Sequence, residues 1–181
     1  MKFTHLLTAT AGLVLAPTAL AQDECATAMP VMNGSVVAFD TSTATQSVEP
    51  WNCAGTGGPD LWYSIVATTG GSISFTTCGS SYDTALEAFD GSCAALNLVV
   101  CNDDACGLQS TVSFLGVVGT TYFVRIGGYN GATGSGSVTV TEMSPPPPPT
   151  PVSIVSTMPG TFMDISTTGT PLSLADDGEV D

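Results

Sequence analysis

Asp83, Asp90, Asn102, Asp103 and Asp104 stand in turn-like stretches of the chain, close to cysteines that draw those turns together. Calcium takes about six to eight oxygen ligands from carboxylates, amides and backbone carbonyls, and loops of this kind supply them. The five residues are therefore a candidate metal site, with Ca2+ as the ion. A plainer use competes with it: Asp83 and Asp103 in turns can cap them by accepting backbone N–H bonds. The spacing lacks the alternating Asp/Asn loop that a later Glu completes in the best-known calcium motif. Glycoside hydrolysis needs two carboxylates at a set separation, one with a raised pKa, and exposed loop acids in a small domain seldom form such a pair.

Other proton carriers are scarce. The chain has 181 residues, with sixteen Asp and Glu against two basic residues and one His, a formal net charge of −14. Lys2 and His5 both fall in residues 1–21, which read as a secretory signal. The segment has a basic start, an apolar run through Leu6, Leu7, Leu13, Val14 and Leu15, and Ala19-Leu20-Ala21 before Gln22. Its apolar run is too short for a membrane span, and Pro17 interrupts it as a buried helix. Cleavage after Ala21 leaves Arg125 alone against all sixteen acids, a net charge of −15. No His or Lys side chain then remains to activate a Ser or Cys nucleophile. One Arg offers little to an oxyanion or phosphate. It is expected to pair with a surface carboxylate, a contact worth at most ~1 kcal/mol. Charge of this sign also excludes nucleic acid and anionic membrane surfaces as partners.

All six cysteines lie beyond Ala21. An even number in an exported chain implies disulfides, for which there are 15 complete pairings. Cys101 and Cys106 are spaced like half of a zinc site, but no His accompanies them. The preferred pairing is Cys25–Cys53, Cys78–Cys106 and Cys93–Cys101. The last pair flanks what reads as a short turn and strand.

The elements that must carry these groups are strands. Short apolar alternations recur at Ser35–Phe39, Asp60–Ala67, Ser72–Thr76, Thr84–Phe89, Leu96–Val100, Thr111–Phe114, Thr121–Ile126 and Ser137–Thr141. Asp90-Gly91 signals a hairpin. About eight strands with such turns predict an all-β fold, an antiparallel β-sandwich of jelly-roll type stapled by disulfides. In the Tyr122 strand, Tyr122, Val124 and Ile126 face the core, with Phe123 and Arg125 on the other side. Trp62 and Tyr63 point to opposite faces, so at most one is expected inside. Trp51, Trp62, Tyr63, Tyr82 and Tyr129 are candidates for an aromatic carbohydrate platform, and equally for packing. The glycine-rich run 127–136 lacks the Lys-Ser/Thr ending of a phosphate loop and reads as a connection between the last two strands.

Four segments result: a signal at 1–21, a sandwich domain at 22–143, a proline-rich linker at 144–151, and 152–181. The linker forms a polyproline II spacer. The final segment, too short for a core of its own, reads as the opening of a second module or an acidic disordered tail.

Asp60-Leu61-Trp62-Tyr63, Cys78-Gly79-Ser80-Ser81-Tyr82-Asp83-Thr84, Asp90-Gly91-Ser92-Cys93, Cys101-Asn102-Asp103-Asp104-Ala105-Cys106 and Gly119-Thr120-Thr121-Tyr122-Phe123-Val124-Arg125-Ile126-Gly127-Gly128-Tyr129 follow one another in that order. Together they resemble the bacterial pre-peptidase C-terminal domain family, in its cysteine-containing form from exported multidomain proteins. The stretch from Gly160 to Val180 resembles the start of another domain found in such proteins. The first resemblance implies a jelly-roll sandwich attached to secreted proteases or large surface proteins, usually non-catalytic, with some relatives binding collagen or other polymers. The expected function is a secreted, periplasmic or cell-surface accessory module with no enzymatic activity, supporting attachment, polymer binding or maturation of a larger exported protein. The alternatives are a calcium-dependent domain that binds polysaccharide or fibrous protein, and a fragment of a secreted enzyme without its catalytic domain.

Overall fold

The computed structural model describes residues 22–148. The signal segment, the last linker residues and 152–181 lie outside the described residues. The chain divides into two units between Pro145 and Pro146, and the strands below all belong to the first.

The strands are β1 (Met29–Pro30), β2 (Val36–Asp40), β3 (Leu61–Val66), β4 (Ser72–Thr76), β5 (Thr84–Ser92), β6 (Ala95–Asn102), β7 (Thr111–Leu115), β8 (Thr121–Gly128) and β9 (Ser135–Glu142). All eight strands expected from the alternation are present, and the two-residue β1 is an addition. Thr, Ser, Val and aromatic residues fill them, side chains that suit a pleated surface better than a helix. Two sheets form, ordered β1-β3-β8-β5-β6 and β2-β9-β4-β7. Every pairing is antiparallel except the short β1–β3 contact. Side chains at every second position meet between the sheets. Tyr63, Leu86, Val124 and Ile126 from one sheet join Ile73, Phe75, Val112, Val138 and Val140 from the other in a single core. The fold is a β-sandwich.

A second apolar layer lies on the far face of the five-stranded sheet. There Cys25, Trp62 and Phe89 pack together with Phe123 and Leu96. Residues 22–28 and the long loop 41–60 roof this face, so Trp62 and Tyr63 are both wholly enclosed, at 0% exposure. Alternation placed them on opposite faces correctly, but both faces are covered. Asp90-Gly91 is not the turn. Asp90 pairs with Asn97 and Gly91 with Leu96 inside the ladder, and the chain reverses two residues later at Cys93-Ala94. Gly91, at φ +92°, would bring a Cβ to 2.4 Å from the Ala95 carbonyl oxygen, which accounts for the glycine.

The disulfides are Cys25–Cys93, Cys53–Cys101 and Cys78–Cys106. The last agrees with expectation and the other two correct it. Cys93 sits in the turn before β6, and Cys101 lies near that strand's far end. A strand rises ~3.3 Å per residue, which separates the two well beyond the ~7 Å Cα limit for a bridge. Cys25 instead meets the turn beside Trp62 and Phe89, while Cys53 lies beside Glu87, over the other end of the sheet.

The two ends of the sandwich differ. Asp40, Asp83, Asp103 and Asp104 gather at the end where β2 and β6 finish and β5 begins. Exposed Val66, Leu115, Val117, Val118 and Met143 mark the opposite end.

Candidate functional site

Antiparallel pairing of β5 with β6 sets Leu86 opposite Asn102. Asp83, just ahead of β5, and Asp103 and Asp104, just after β6, therefore share one end. Burial raises the Asp83 pKa above its ordinary value of 3.8, and the charges of Asp104 and Asp103 add to the rise. Its Oδ1 is shielded from solvent and has no hydrogen-bond partner. Among the described residues neither Asp83 nor Asp103 uses its side chain to cap a turn. Asn102 Oδ1 is engaged, accepting the Thr111 N–H at 3.1 Å and tying β6 to β7. Asp90 stands apart at the other end of the hairpin, where it accepts the Asn97 amide at 2.9 Å. Among the described residues, no three of the four aspartates gather like Cys53, Glu87 and Cys101, whose ligand atoms lie within 4.8 Å of one another.

That trio makes a poor metal seat. Its two sulfurs are bonded to each other. The Glu87 carboxylate is already occupied: Oε2 accepts Arg125 Nε at 2.9 Å and Nη2 at 2.6 Å, and Oε1 accepts the backbone N–H groups of Asn52 and Cys53. A guanidinium beside the carboxylate also repels a cation.

Arg125 is the centre of the most elaborate polar arrangement among the described residues, and its position corrects the expected surface pair. The side chain has 0% exposure. Nη1 donates to the Glu49 carbonyl at 2.8 Å and faces Asp60 Oδ2 at 3.4 Å, while Nη2 also donates to the Pro50 carbonyl. Trp51 stacks over the guanidinium, 4.0 Å from ring centroid to Cζ. Asp60 Oδ1 accepts the Ser47 N–H at 3.1 Å and its hydroxyl at 2.6 Å, and Ser47 Oγ accepts Trp62 Nε1–H at 2.7 Å. Burial pushes Asp60 up to about 6, against the opposing pull of Ser47 and Arg125.

Every partner of Arg125 outside the sheet comes from the 41–60 loop, and the network clamps that loop over the sheet. The carboxylates are saturated and closed to solvent, so their chemistry is structural. A signal for the network exists in the sequence. Glu87 is the one charge in Thr84–Phe89, and Arg125 the one charge in Thr121–Ile126. Opposite charges in the middle of two apolar strands are expensive to bury unless they meet.

The aromatic platform does not assemble. Trp62 and Tyr63 are internal, Trp51 is half-buried against Arg125, and half-buried Tyr82 packs edge-on to Phe39 at 6.3 Å. Tyr129 is exposed beside the loop containing Gly55. The glycine run is partly strand, since β8 continues through Gly128 and β9 begins at Ser135. Among the described residues no helix is long and apolar enough to cross a membrane.

No protein-family model matches the chain, and no curated protein matches it. Among solved structures it is similar to PliG of Aeromonas hydrophila, a periplasmic inhibitor of g-type lysozyme. That likeness is 14% identical, covers 63% of this chain and 94% of the other, and has a TM-score of 0.42. At that distance it carries neither function nor partner across.

Proposed function

We propose that this chain is a secreted, non-catalytic accessory module of an exported bacterial protein, of the pre-peptidase C-terminal kind, that attaches to an extracellular polymer. The observation that carries this reading is the enclosure of Arg125. The base-poor sequence spends its one guanidinium on holding a loop, and the carboxylate pushed to about 6, Asp60, sits behind that loop without access to a substrate. Three disulfides and a continuous core support service as a durable binding body outside the cell. Among the described residues the outer surface carries carboxylates, hydroxyls and many large apolar side chains, Met32, Val48 and Leu115 among them, groups that suit adhesion.

The test is retention of the oxidised protein on cellulose, chitin and collagen, with and without a chelator. Retention on one of them that survives chelation supports the reading; no retention on any refutes the polymer-binding part. A calcium-dependent form of the same role rests on Asp83, whose shielded Oδ1 has no partner and whose neighbours are Asp103 and Asp104. Isothermal titration of chelator-treated protein with calcium tests it. Heat that disappears in Asp83→Asn supports a site there; no heat and no melting shift remove the ion from the proposal.

A further inference from the structure

Among the described residues, β6 is the outermost strand of the five-stranded sheet and pairs with β5 alone. At eight residues it is longer than the other edges: β1 has two and ends in Pro30, and β2 and β7 have five each. Every second N–H and C=O along an edge strand points away from its one neighbour and is open to another strand. Charge, proline or brevity ordinarily blunts such an edge, and Ala95-Leu96-Asn97-Leu98-Val99-Val100-Cys101-Asn102 has none of these. Its one irregularity is a bulge. Ala88 faces Val100 and Phe89 faces Leu98, so Val99 has no residue opposite it. The bulge adds twist and does not cover the strand: Leu98 and Val99 are 43% and 40% exposed.

Carboxylates bracket this apolar stretch. Near the hairpin, half-exposed Asp90 accepts the Asn97 amide at 2.9 Å. At the far end Asp103 and Asp104 follow Asn102 directly. Among the described residues no exposed cation offsets them, because the one guanidinium, on Arg125, is enclosed against Glu87.

We propose that β6 is a docking edge for an extended segment of another protein, apolar in the middle and basic at both ends, which joins the sheet as a further strand. Backbone pairing supplies the affinity, and the side chains choose the partner. The partner's Lys or Arg groups meet Asp90 at one end and Asp103 and Asp104 at the other. A second copy of this chain suits the edge poorly. Two β6 strands meeting antiparallel about Leu98 and Val99 set the Asp103 end of each against the Asp90 end of the other. Like charges at the join, on chains of net charge −14, oppose that pairing. The edge serves this role whether or not the module also holds a polymer.

The experiment titrates oxidised protein, secreted from the full precursor, into a dye-labelled peptide of alternating valines and threonines between terminal lysines, at low salt with chelator. Expected are saturable binding and slowed amide hydrogen exchange confined to residues 95–100. Affinity should fall about tenfold or more when glutamates replace the lysines. A peptide with the same lysines around a glycine-serine stretch should leave β6 unprotected. Val99→Lys, which puts a charge on the open edge, should abolish binding with the melting temperature held. Joint Asp103→Asn and Asp104→Asn changes should weaken binding and reduce its salt dependence. No binding of the lysine peptide, equal binding of the glutamate peptide, or protection outside β6 overturns the proposal, as does protection of β6 by the glycine-serine peptide. A concentration-dependent dimer in sedimentation with protected β6 amides also overturns it, and gives the edge to a second copy.

Discussion

Replacing Arg125 with methionine keeps much of the side-chain volume under Trp51 and removes the charge. Glu87 loses two donors, at 2.9 and 2.6 Å, and Asp60 loses its counter-charge at 3.4 Å. The carbonyls of Glu49 and Pro50 lose theirs as well. Removing one member of a buried ion pair costs about 3–5 kcal/mol, because the charge left behind is uncompensated. A typical domain has a stability of only about 5–15 kcal/mol, so the urea midpoint should fall by about a fifth or more at pH 7, with the disulfides intact. The pH dependence follows from Asp60. Its folded pKa of about 6 exceeds the ordinary 3.8, so the protonated form is favoured in the folded protein. Its contribution to stability is complete below 3.8 and is lost as pH rises through 6. Near pH 4.5 Asp60 is already protonated in the folded protein and leaves no charge there to be orphaned, so the substitution should be less damaging than at pH 7. Urea unfolding followed by tryptophan fluorescence at both pH values measures this. A cost under ~1 kcal/mol at pH 7, the size of an exposed pair, would refute the clamp, as would a cost undiminished at pH 4.5.

Peptide mapping without reduction should recover Cys25 joined to Cys93, Cys53 to Cys101 and Cys78 to Cys106. A double Cys53→Ala, Cys101→Ala variant should lose about 2–5 kcal/mol, with hydrogen exchange rising first in the 41–60 loop. Glu142 accepts the Thr68 N–H at 2.7 Å and hydroxyl at 2.6 Å and the Thr69 N–H at 2.8 Å. Burial pushes its pKa up, but these bonds outweigh it and hold the carboxyl below its ordinary 4.5. Its stabilisation is therefore present above pH 4.5 and lost as pH falls through the lowered value, and Glu142→Gln should flatten that acid limb of a urea-midpoint profile. Gly57 has φ +66°, and a Cβ there would lie 1.7 Å from Trp51 Cδ1. Gly57→Ala should displace the indole from Arg125, altering the near-ultraviolet circular dichroism and costing about 1–3 kcal/mol.

The strands were readable because alternation is local. Ser72-Ile73-Ser74-Phe75-Thr76 carries its buried and open faces in five consecutive residues, and β4 has those bounds. The roof over the second face was not readable, since alternation says which side a residue faces and not what covers that side. Arg125 shows the consequence. Its side of β8 followed from the period, but its environment depended on where the 41–60 loop settles. The cysteine pairing failed for the same reason. Proximity along the chain suggested Cys93–Cys101, and the extended strand between them holds them apart. The acids at 83, 103 and 104 share an end because two strands run antiparallel, whereas Asp90, seven residues from Asp83 along β5, is carried to the opposite end.

Enclosing Arg125 also decides how proteases that cut after basic residues meet this molecule. Residues 22–148 contain no lysine and no other arginine, so trypsin has a single susceptible bond there, and it lies in a central strand beneath a stacked indole. The folded body offers such an enzyme no purchase. Cleavage has to wait for the sheet to open, which makes digestion of this domain a clock for its unfolding.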